Sequence, residues 1–268
     1  MSINMADVKQ IMRGTKEVAK IEDGLGNILW QKQTSKAYRE LEYIYFSGTE
    51  YLGVPYSLIP EVNGTLGRSY VYLKVLLDSY VSRGMLIGAY DGRTNSKCRA
   101  QIGDYYTGGK FAISIRSDTR NTNLTYSNCI PLNTQKELFV RIPNNVSPYN
   151  KGYWVQVGNQ SSSSTSVVPQ SYNLDTGIMS CHSVESNGTN HYTNMANGKV
   201  YKLQWNIGDD AMSTTTTRVC LAVPAQRKSD GVCGLYNKDN NTFYPMQGTN
   251  ITTSAAGPTV NENPDWSN

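Results

Sequence analysis

The stretch that decides the fold is 218-RVCLAVPAQRKSDGVCGLYNKDNNTFYPMQGTNITTSAAGP-258. Within it Val219, Leu221 and Val223 alternate with smaller or polar residues, the period-2 pattern of a strand with one buried face. Pro224 has no N–H to give a ladder and is expected to stop that strand. Ser229-Asp230-Gly231 supplies a turn, Val232–Tyr236 a second short strand, Asn237–Asn241 another turn and Thr242–Tyr244 a third strand. Three strands joined by tight Asp/Asn/Gly connections make an antiparallel meander.

Upstream, Lys199–Ile207 reads as a strong strand, with Tyr201, Leu203, Trp205 and Ile207 on one face and Lys202, Gln204 and Asn206 on the other. Ser69–Asp78 is the clearest core strand: Val71, Leu73, Val75 and Leu77 form one face, Tyr70, Tyr72 and Lys74 the other. Glu40–Phe46, Glu50–Val54, Met85–Tyr90, Cys98–Gly103, Lys110–Arg116, Glu137–Ile142 and Tyr153–Val157 complete the strand set. Pro55–Gly67 and Asp104–Gly109 read as loops, and Pro143 and Pro148 as breaks after Ile142. Gln160–Asn197 has little periodicity and reads as a long loop, which inside a compact domain points to function or disorder. About a dozen short strands with no helical period predict an all-β, two-sheet sandwich over residues 37–258.

Residues 1–36 form a separate miniature meander with Val8, Ile11, Val18, Ile21, Ile28 and Trp30 as its apolar positions. A unit this short cannot hold a core by itself, so its apolar side is expected to dock on another surface as an anchor. Residues 259–268, with Pro264 and Trp266, read as an exposed tail or a strap across a neighbour.

Composition agrees. A chain of 268 residues, 38% hydrophobic, can bury a sizeable core, and only 17% charge with 19 tyrosines and 23 glycines favours strands and turns over helices. The net charge of +4 is scattered, without the basic patch and interleaved aromatics of a nucleic-acid binder. No run approaches the roughly 18 apolar residues of a membrane span. The start MSINMADVKQ lacks the apolar core of a secretory signal, so synthesis in the cytoplasm is expected. Five cysteines cannot all pair and none forms C-x-x-C; free thiols are expected, with Cys220 and Cys233 buried in strands.

Catalysis has little to stand on. Glycoside hydrolysis needs two carboxylates held about 5–10 Å apart, and the nearest pairs, Glu40/Glu42 and Asp209-Asp210, read as solvated edge and turn residues. No G-x-S-x-G string occurs, and no Gly-rich loop opens a helix. Cys181-His182 with His191 offers soft ligands at loosely suitable spacing, and Asp104, Asp118, Asn121 and Asn123 offer oxygens. No catalytic residue, metal or cofactor is assigned. Glycan contact wants aromatic faces bordered by amides and hydroxyls. Tyr105, Tyr106, Tyr153, Trp154, Tyr172 and Tyr192 are the candidates, with subunit contact and plain strand packing as the alternatives for each.

The string VPAQRKSDGVCGLYNKDNNTFYPMQGT resembles the closing meander of concanavalin-like (laminin-G-like) jelly-roll domains in tailed-phage structural proteins, which read VP..R.SDGV.GLYD..N..FY...GTG. Leu41-Glu42-Tyr43-Ile44 with Ser47-Gly48-Thr49-Glu50-Tyr51-Leu52 resembles their opening string, LEYI.STGTQYI. The likeness covers about Tyr38 to Pro258, though Thr119–Asn197 matches in length and polarity alone. VKQIMRGTKEVAKIEDGLGNILW likewise resembles the VK.IY.GT.EV.KI....G.VLW attachment segments of phage tail and fibre proteins. The resemblance implies a concanavalin-like jelly roll behind an N-terminal β anchor, in a virion fibre or appendage subunit. It further implies a homo-oligomer, a trimer foremost, joined to other virion proteins through residues 1–36 and adhering to a host-surface glycan. The alternatives are a cement or decoration subunit without a ligand, and a polysaccharide-degrading enzyme.

Overall fold

The computed structural model describes residues 12–13, 16–17, 20–22, 28–31, 37–93, 98–106, 110–117, 120–127, 130–144, 152–164, 174–208, 215–264 and 266. The chain divides into two compact units, Met1–Lys36 and Ala37–Asn268. In the first, β1 (Met12–Arg13) pairs with β2 (Lys16–Glu17), and β3 (Lys20–Glu22) pairs with β4 (Ile28–Gln31). Ile21 faces Trp30 across that second hairpin and Glu22 faces Ile28. Val8, Ile11 and Val18 lie outside the described residues.

The second unit opens with β5 (Tyr38–Leu41), β6 (Ile44–Ser47), β7 (Leu52–Val54), β8 (Glu61–Val62), β9 (Thr65–Leu66), β10 (Arg68–Ser79) and β11 (Met85–Asp91). It continues with β12 (Cys98–Tyr106), β13 (Lys110–Ser117), β14 (Arg120–Ser127), β15 (Lys136–Asn144), β16 (Gly152–Val157) and β17 (Gln160–Ser164). Then come β18 (Thr176–Ile178), β19 (Cys181–Val184), β20 (Asn190–Thr193), β21 (Asn197–Gly208), β22 (Thr217–Arg227), β23 (Cys233–Asn237), β24 (Thr242–Pro245) and β25 (Thr259–Asn261).

Among the described residues these strands build an 11-stranded sheet along β17-β16-β15-β10-β21-β22-β23-β24, with β5, β6 and β25 attached, and an 8-stranded sheet along β14-β13-β12-β11-β18-β7, with β19 and β20 attached. No helix occurs among them. The fold is all-β, a jelly-roll sandwich. In its main core cluster Val71, Leu73, Val75, Leu138, Val140, Leu203 and Trp205 of the large sheet join Leu52, Val54, Ile87, Ala89, Ala100, Ile102 and Ile178 of the small one, and a smaller cluster gathers Ala225, Tyr236 and Trp266. Each Val, Leu or Ile among them contributes about 1.5–3 kcal/mol by leaving water. β10 is central because its alternation is the cleanest: Leu73 faces Leu138 on one side and Leu203 on the other, and Val71 faces Val140 and Trp205.

The closing meander β22-β23-β24 forms as expected, and Cys181, Cys220 and Cys233 are buried free thiols. Pro224, however, does not stop its strand, which continues to Arg227. Leu221 and Arg227 direct their N–H groups toward the β23 side, onto Asn237 Oδ1 and Val232 O. By alternation the donor that Pro224 lacks would face the opposite side. There the neighbour changes from β21, last paired at Ala222, to β5, first paired at Ala225, so no ladder bond is lost.

Other expectations are corrected by pairing that period alone does not reveal. Glu40–Phe46 is two strands, because β5 pairs with β22 and β25 while β6 pairs with β21. Tyr201 leaves the face of Leu203 and Trp205. Lys74 faces Lys202 and Val75 faces Val200, so Tyr201 is the extra residue of a bulge, which buries Val200 in its place. Pro143 lies inside β15, where the register with β16 shifts between Arg141 and Asn144. Asp104–Tyr106 extends β12 instead of turning. Pro55–Gly67 contains the β8–β9 hairpin, closed by Asn63 and Gly64 at φ 51° and 75°. Gln160–Asn197 carries β17 to β20, three to five residues each and too short to display a period. Residues 259–264 and Trp266 strap their own sandwich: β25 pairs with β5, and Trp266, 8% exposed, stacks on Tyr236 at 4.5 Å.

Candidate functional site

The outward side of the large sheet gathers aromatic and polar side chains into three rows across β16, β15, β10 and β21. Register places Trp154, Arg141, Tyr70 and Asn206 in the first row. Gln156, Phe139, Tyr72 and Gln204 form the second, and Glu137, Lys74 and Lys202 the third. These side chains alternate with the core residues of the same strands, so the two-residue period that buries Val71 and Leu73 also turns Tyr70, Tyr72 and Lys74 outward. All are partly exposed except Glu137, which is exposed.

The rings are braced from within the face. The Arg141 guanidinium lies 4.3 Å from the Tyr70 ring centre and 5.4 Å from that of Trp154. Tyr72 and Phe139 meet at 4.9 Å, tilted by 59°. Tyr72 Oη donates to Glu137 Oε1 at 2.9 Å, and Lys202 Nζ sits 5.6 Å from the Tyr72 ring centre. Gln204 Nε2 donates to Asn206 Oδ1 at 3.1 Å. Burial, reinforced by the Glu137 carboxylate, pushes the Tyr72 hydroxyl up to about 12. Burial, with Arg68 adding a like charge, draws the Arg141 guanidinium below its ordinary value. Two shallow depressions of about 420 Å³ each flank Lys74, one against Glu137, Phe139 and Gln156, the other against Tyr201, Lys202 and Glu42.

Pre-braced, partly exposed rings bordered by amides and charges suit contact with the C–H surface of a sugar together with hydrogen bonds to its hydroxyls. Two-carboxylate hydrolysis asks for a second acid beside the first. Among the described residues the three rows hold Glu137 alone, already engaged by Tyr72.

Of the six aromatic residues proposed from sequence, Trp154 and Tyr192 have described side chains, and these two stand on different sheets. Trp154 stands in the first row of this face. Tyr153 lies beside it on β16, and Tyr105 and Tyr106 end β12 in the other sheet; the backbone alone is described for these three. Tyr172 lies outside the described residues. Tyr192, on β20 of the small sheet, stacks on Tyr51 at 4.2 Å and on His182 at 4.7 Å. Both faces of its ring are thus covered from within the chain. Tyr51 Oη donates to Gln247 Oε1, and His182 Nδ1 meets Asp175 O at 2.8 Å. Burial pushes the Tyr192 hydroxyl up to about 12.

Sequence reasoning missed Tyr70, Tyr72, Phe139, Arg141, Lys74 and Lys202 as site residues. Their signal was present as large aromatic and cationic residues at the outward positions of unmistakable core strands. Of the candidate metal ligands, Cys181 accepts from Gln101 Nε2 at 3.1 Å and His191 pairs with Glu185 at 3.5 Å. No group of three His, Cys, Asp or Glu is arranged for a metal among the described residues. Asp104, Asn121 and Asn123 fall on β12 and β14, where the backbone alone is described, and Asp118 lies outside the described residues.

No protein-family model matches the chain, and no curated protein matches it. Solved structures similar to it include the CBM40 of the Ruminococcus gnavus IT-sialidase bound to alpha2,3 sialyllactose, at a TM-score of 0.45 and 10% identity, covering 66% of this chain and 93% of that one. The native heptameric SAP-like pentraxin from Limulus polyphemus matches at a TM-score of 0.41 and 12% identity, covering 66% and 79%. Tailspike protein 2 from Escherichia coli O157:H7 bacteriophage CAB120 matches at 0.32 and 9%, covering 66% and 27%. At such identities the likeness concerns the fold alone.

Proposed function

We propose that this chain is a glycan-binding subunit of a bacteriophage appendage. Its sandwich adheres to a host-surface polysaccharide through the open face of the large sheet, and residues 1–36 join it to other virion proteins. The observation that carries the binding half is the row Trp154–Arg141–Tyr70 lying beside Phe139–Tyr72, partly exposed rings held in place by neighbours and edged with amides. Rings fixed before the ligand arrives lose little conformational freedom on binding. The virion half is supported by the opening and closing strings of the sandwich and by the attachment-like segment VKQIMRGTKEVAKIEDGLGNILW. Repetition of the subunit in a homo-oligomer, a trimer foremost, would multiply a weak single contact. Binding without bond cleavage is the chemistry assigned to the face, with no catalytic residue and no cofactor.

The test is binding of the full chain to immobilised bacterial surface polysaccharides, with Tyr72→Ala and Trp154→Ala as variants. Each lost ring should weaken binding about tenfold while the unfolding temperature stays close to that of the parent. Unaltered binding by both variants would end the assignment of this face. Deleting residues 1–36 should abolish incorporation into particles and leave glycan binding intact. A chain that incorporates but binds no glycan would instead be an architectural subunit.

A further inference from the structure

The open face is not neutral. Lys74 and Arg141 occupy outward positions of β10 and β15 and Lys202 one of β21, against the single carboxylate of Glu137 in the same rows. Each of two cations is paired with rings: Arg141 lies against Tyr70 and Trp154, and Lys202 against Tyr72. Tyr70, Tyr72 and Lys74 follow one another along β10 at intervals of ~6.8 Å, so charge and ring recur together along the strand. Glu137 is held by Tyr72 Oη, and farther along the sheet Glu40 is drawn to Lys238 at 3.4 Å. Glu42 borders the depression next to Lys202.

Resting on the glycan-binding reading above, we infer that the face selects an acidic polysaccharide whose sugars carry carboxylates, the polyuronate class. A guanidinium offers its N–H donors as a planar fork that matches a carboxylate in two parallel bonds. Here that fork stands 4.3 and 5.4 Å from two ring centres. Charge and stacking are therefore read within the span of one sugar unit. A uronic acid meets this requirement, because its carboxylate is attached to the same ring whose C–H face stacks. In a phosphodiester-linked polymer the charge lies between the units, away from the stacking surface. Lys74 and Lys202, facing each other across β10 and β21, supply the next pair of positive charges along the strand. Ionic attraction of this kind accelerates encounter and weakens as salt rises.

The experiment compares binding of the full chain to polygalacturonate, to its fully methyl-esterified form and to a polyglycerol phosphate, each from 20 to 500 mM NaCl. Polygalacturonate should bind at least roughly tenfold more tightly than the ester, since each charged hydrogen bond lost accounts for about that factor. The preference should shrink with salt. Lys74→Gln with Lys202→Gln should lower affinity for polygalacturonate several-fold more than affinity for the ester; Arg141→Gln, which also removes the brace of the Tyr70 and Trp154 rings, should weaken both and shrink the preference for acid over ester further. The Lys pair is partly exposed, so its variant is expected to fold even if that of Arg141 does not. Equal binding of acid and ester, with both lost in Trp154→Ala, would overturn the acidic preference and leave the glycan reading standing. Preference for the polyglycerol phosphate would overturn the choice of carboxylate. Failure to bind any polymer, with no effect of Trp154→Ala on binding to surface polysaccharides, would remove both.

Discussion

Glu50 is wholly buried, yet it accepts from Ser47 N and Thr49 Oγ1 at 2.6 Å each, from Ser47 Oγ at 2.9 Å and from Asn250 N at 3.1 Å. Burial alone would push its carboxyl up; the hydrogen bonds from Thr49, Ser47 and Asn250 outweigh it and hold the group below its ordinary value of 4.5. A depressed folded pKa contributes stability that is complete above the unfolded value and is lost as pH falls through the folded one. Replacing Glu50 by Gln should cost about 1.5–3 kcal/mol at pH 7, and the gap between the two unfolding curves should narrow below about pH 4. A gap independent of pH would show that shape, not charge, holds the turn. Gly53 makes a second case: a methyl group there would collide with Tyr192 Oη. Gly53→Ala should cost about 1–3 kcal/mol, and Tyr192→Phe should restore part of it, as thermal unfolding of the double variant would show. Neither role was legible locally, since Asn250 lies 200 positions from Glu50 and Tyr192 is far along the chain from Gly53.

At the scale of elements, period-2 reading located β10, β11, β16 and the closing meander because each has enough alternating residues to declare a buried face. It lost Tyr201 to a bulge and β18 to β20 to their brevity. It also lost the role of Thr176, Cys181, His182 and Ser183, polar or small residues that are nonetheless buried. Pro224 misled for a different reason: the rule against proline in strands concerns a donor with a partner to lose, and the partner here changes at that point. Two substitutions on β22 should therefore diverge. Pro224→Val should change stability by less than about 1 kcal/mol. Ala222→Pro, which removes a donor on the side paired with β21, should cost about 2 kcal/mol or more. Chemical denaturation of the two variants checks this, and comparable losses would refute the account of the exchange.

For the molecule as a whole, the terminal strap is the test of how the sandwich is closed. Trp266 stacks on Tyr236, Lys238 lies 5.3 Å from its ring centre, and Lys228 Nζ reaches Asn263 Oδ1 at 2.9 Å. Trp266→Ala should cost about 3 kcal/mol and lower the unfolding temperature by about 6–12 °C; an unchanged temperature would mean that the strap decorates the fold without securing it. The layered all-β plan was readable from alternation and turn residues. The open face was readable only in pieces. Tyr70, Tyr72 and Lys74 declared themselves outward on one strand, and Lys202, Gln204 and Asn206 on another. That β16 and β15 bring Trp154, Phe139 and Arg141 alongside is fixed by long-range register, which single-strand patterns do not encode. The strap has one more consequence. Lys228 also takes the carbonyl of Ala37 on its own N–H, so the first described residues of the sandwich and its terminal strap converge on a single lysine. A circular permutant, with those two ends bridged by a short Gly/Ser peptide and new termini cut at the Asn63-Gly64 turn, is geometrically open to this fold, and it would leave the three outward rows of the large sheet untouched.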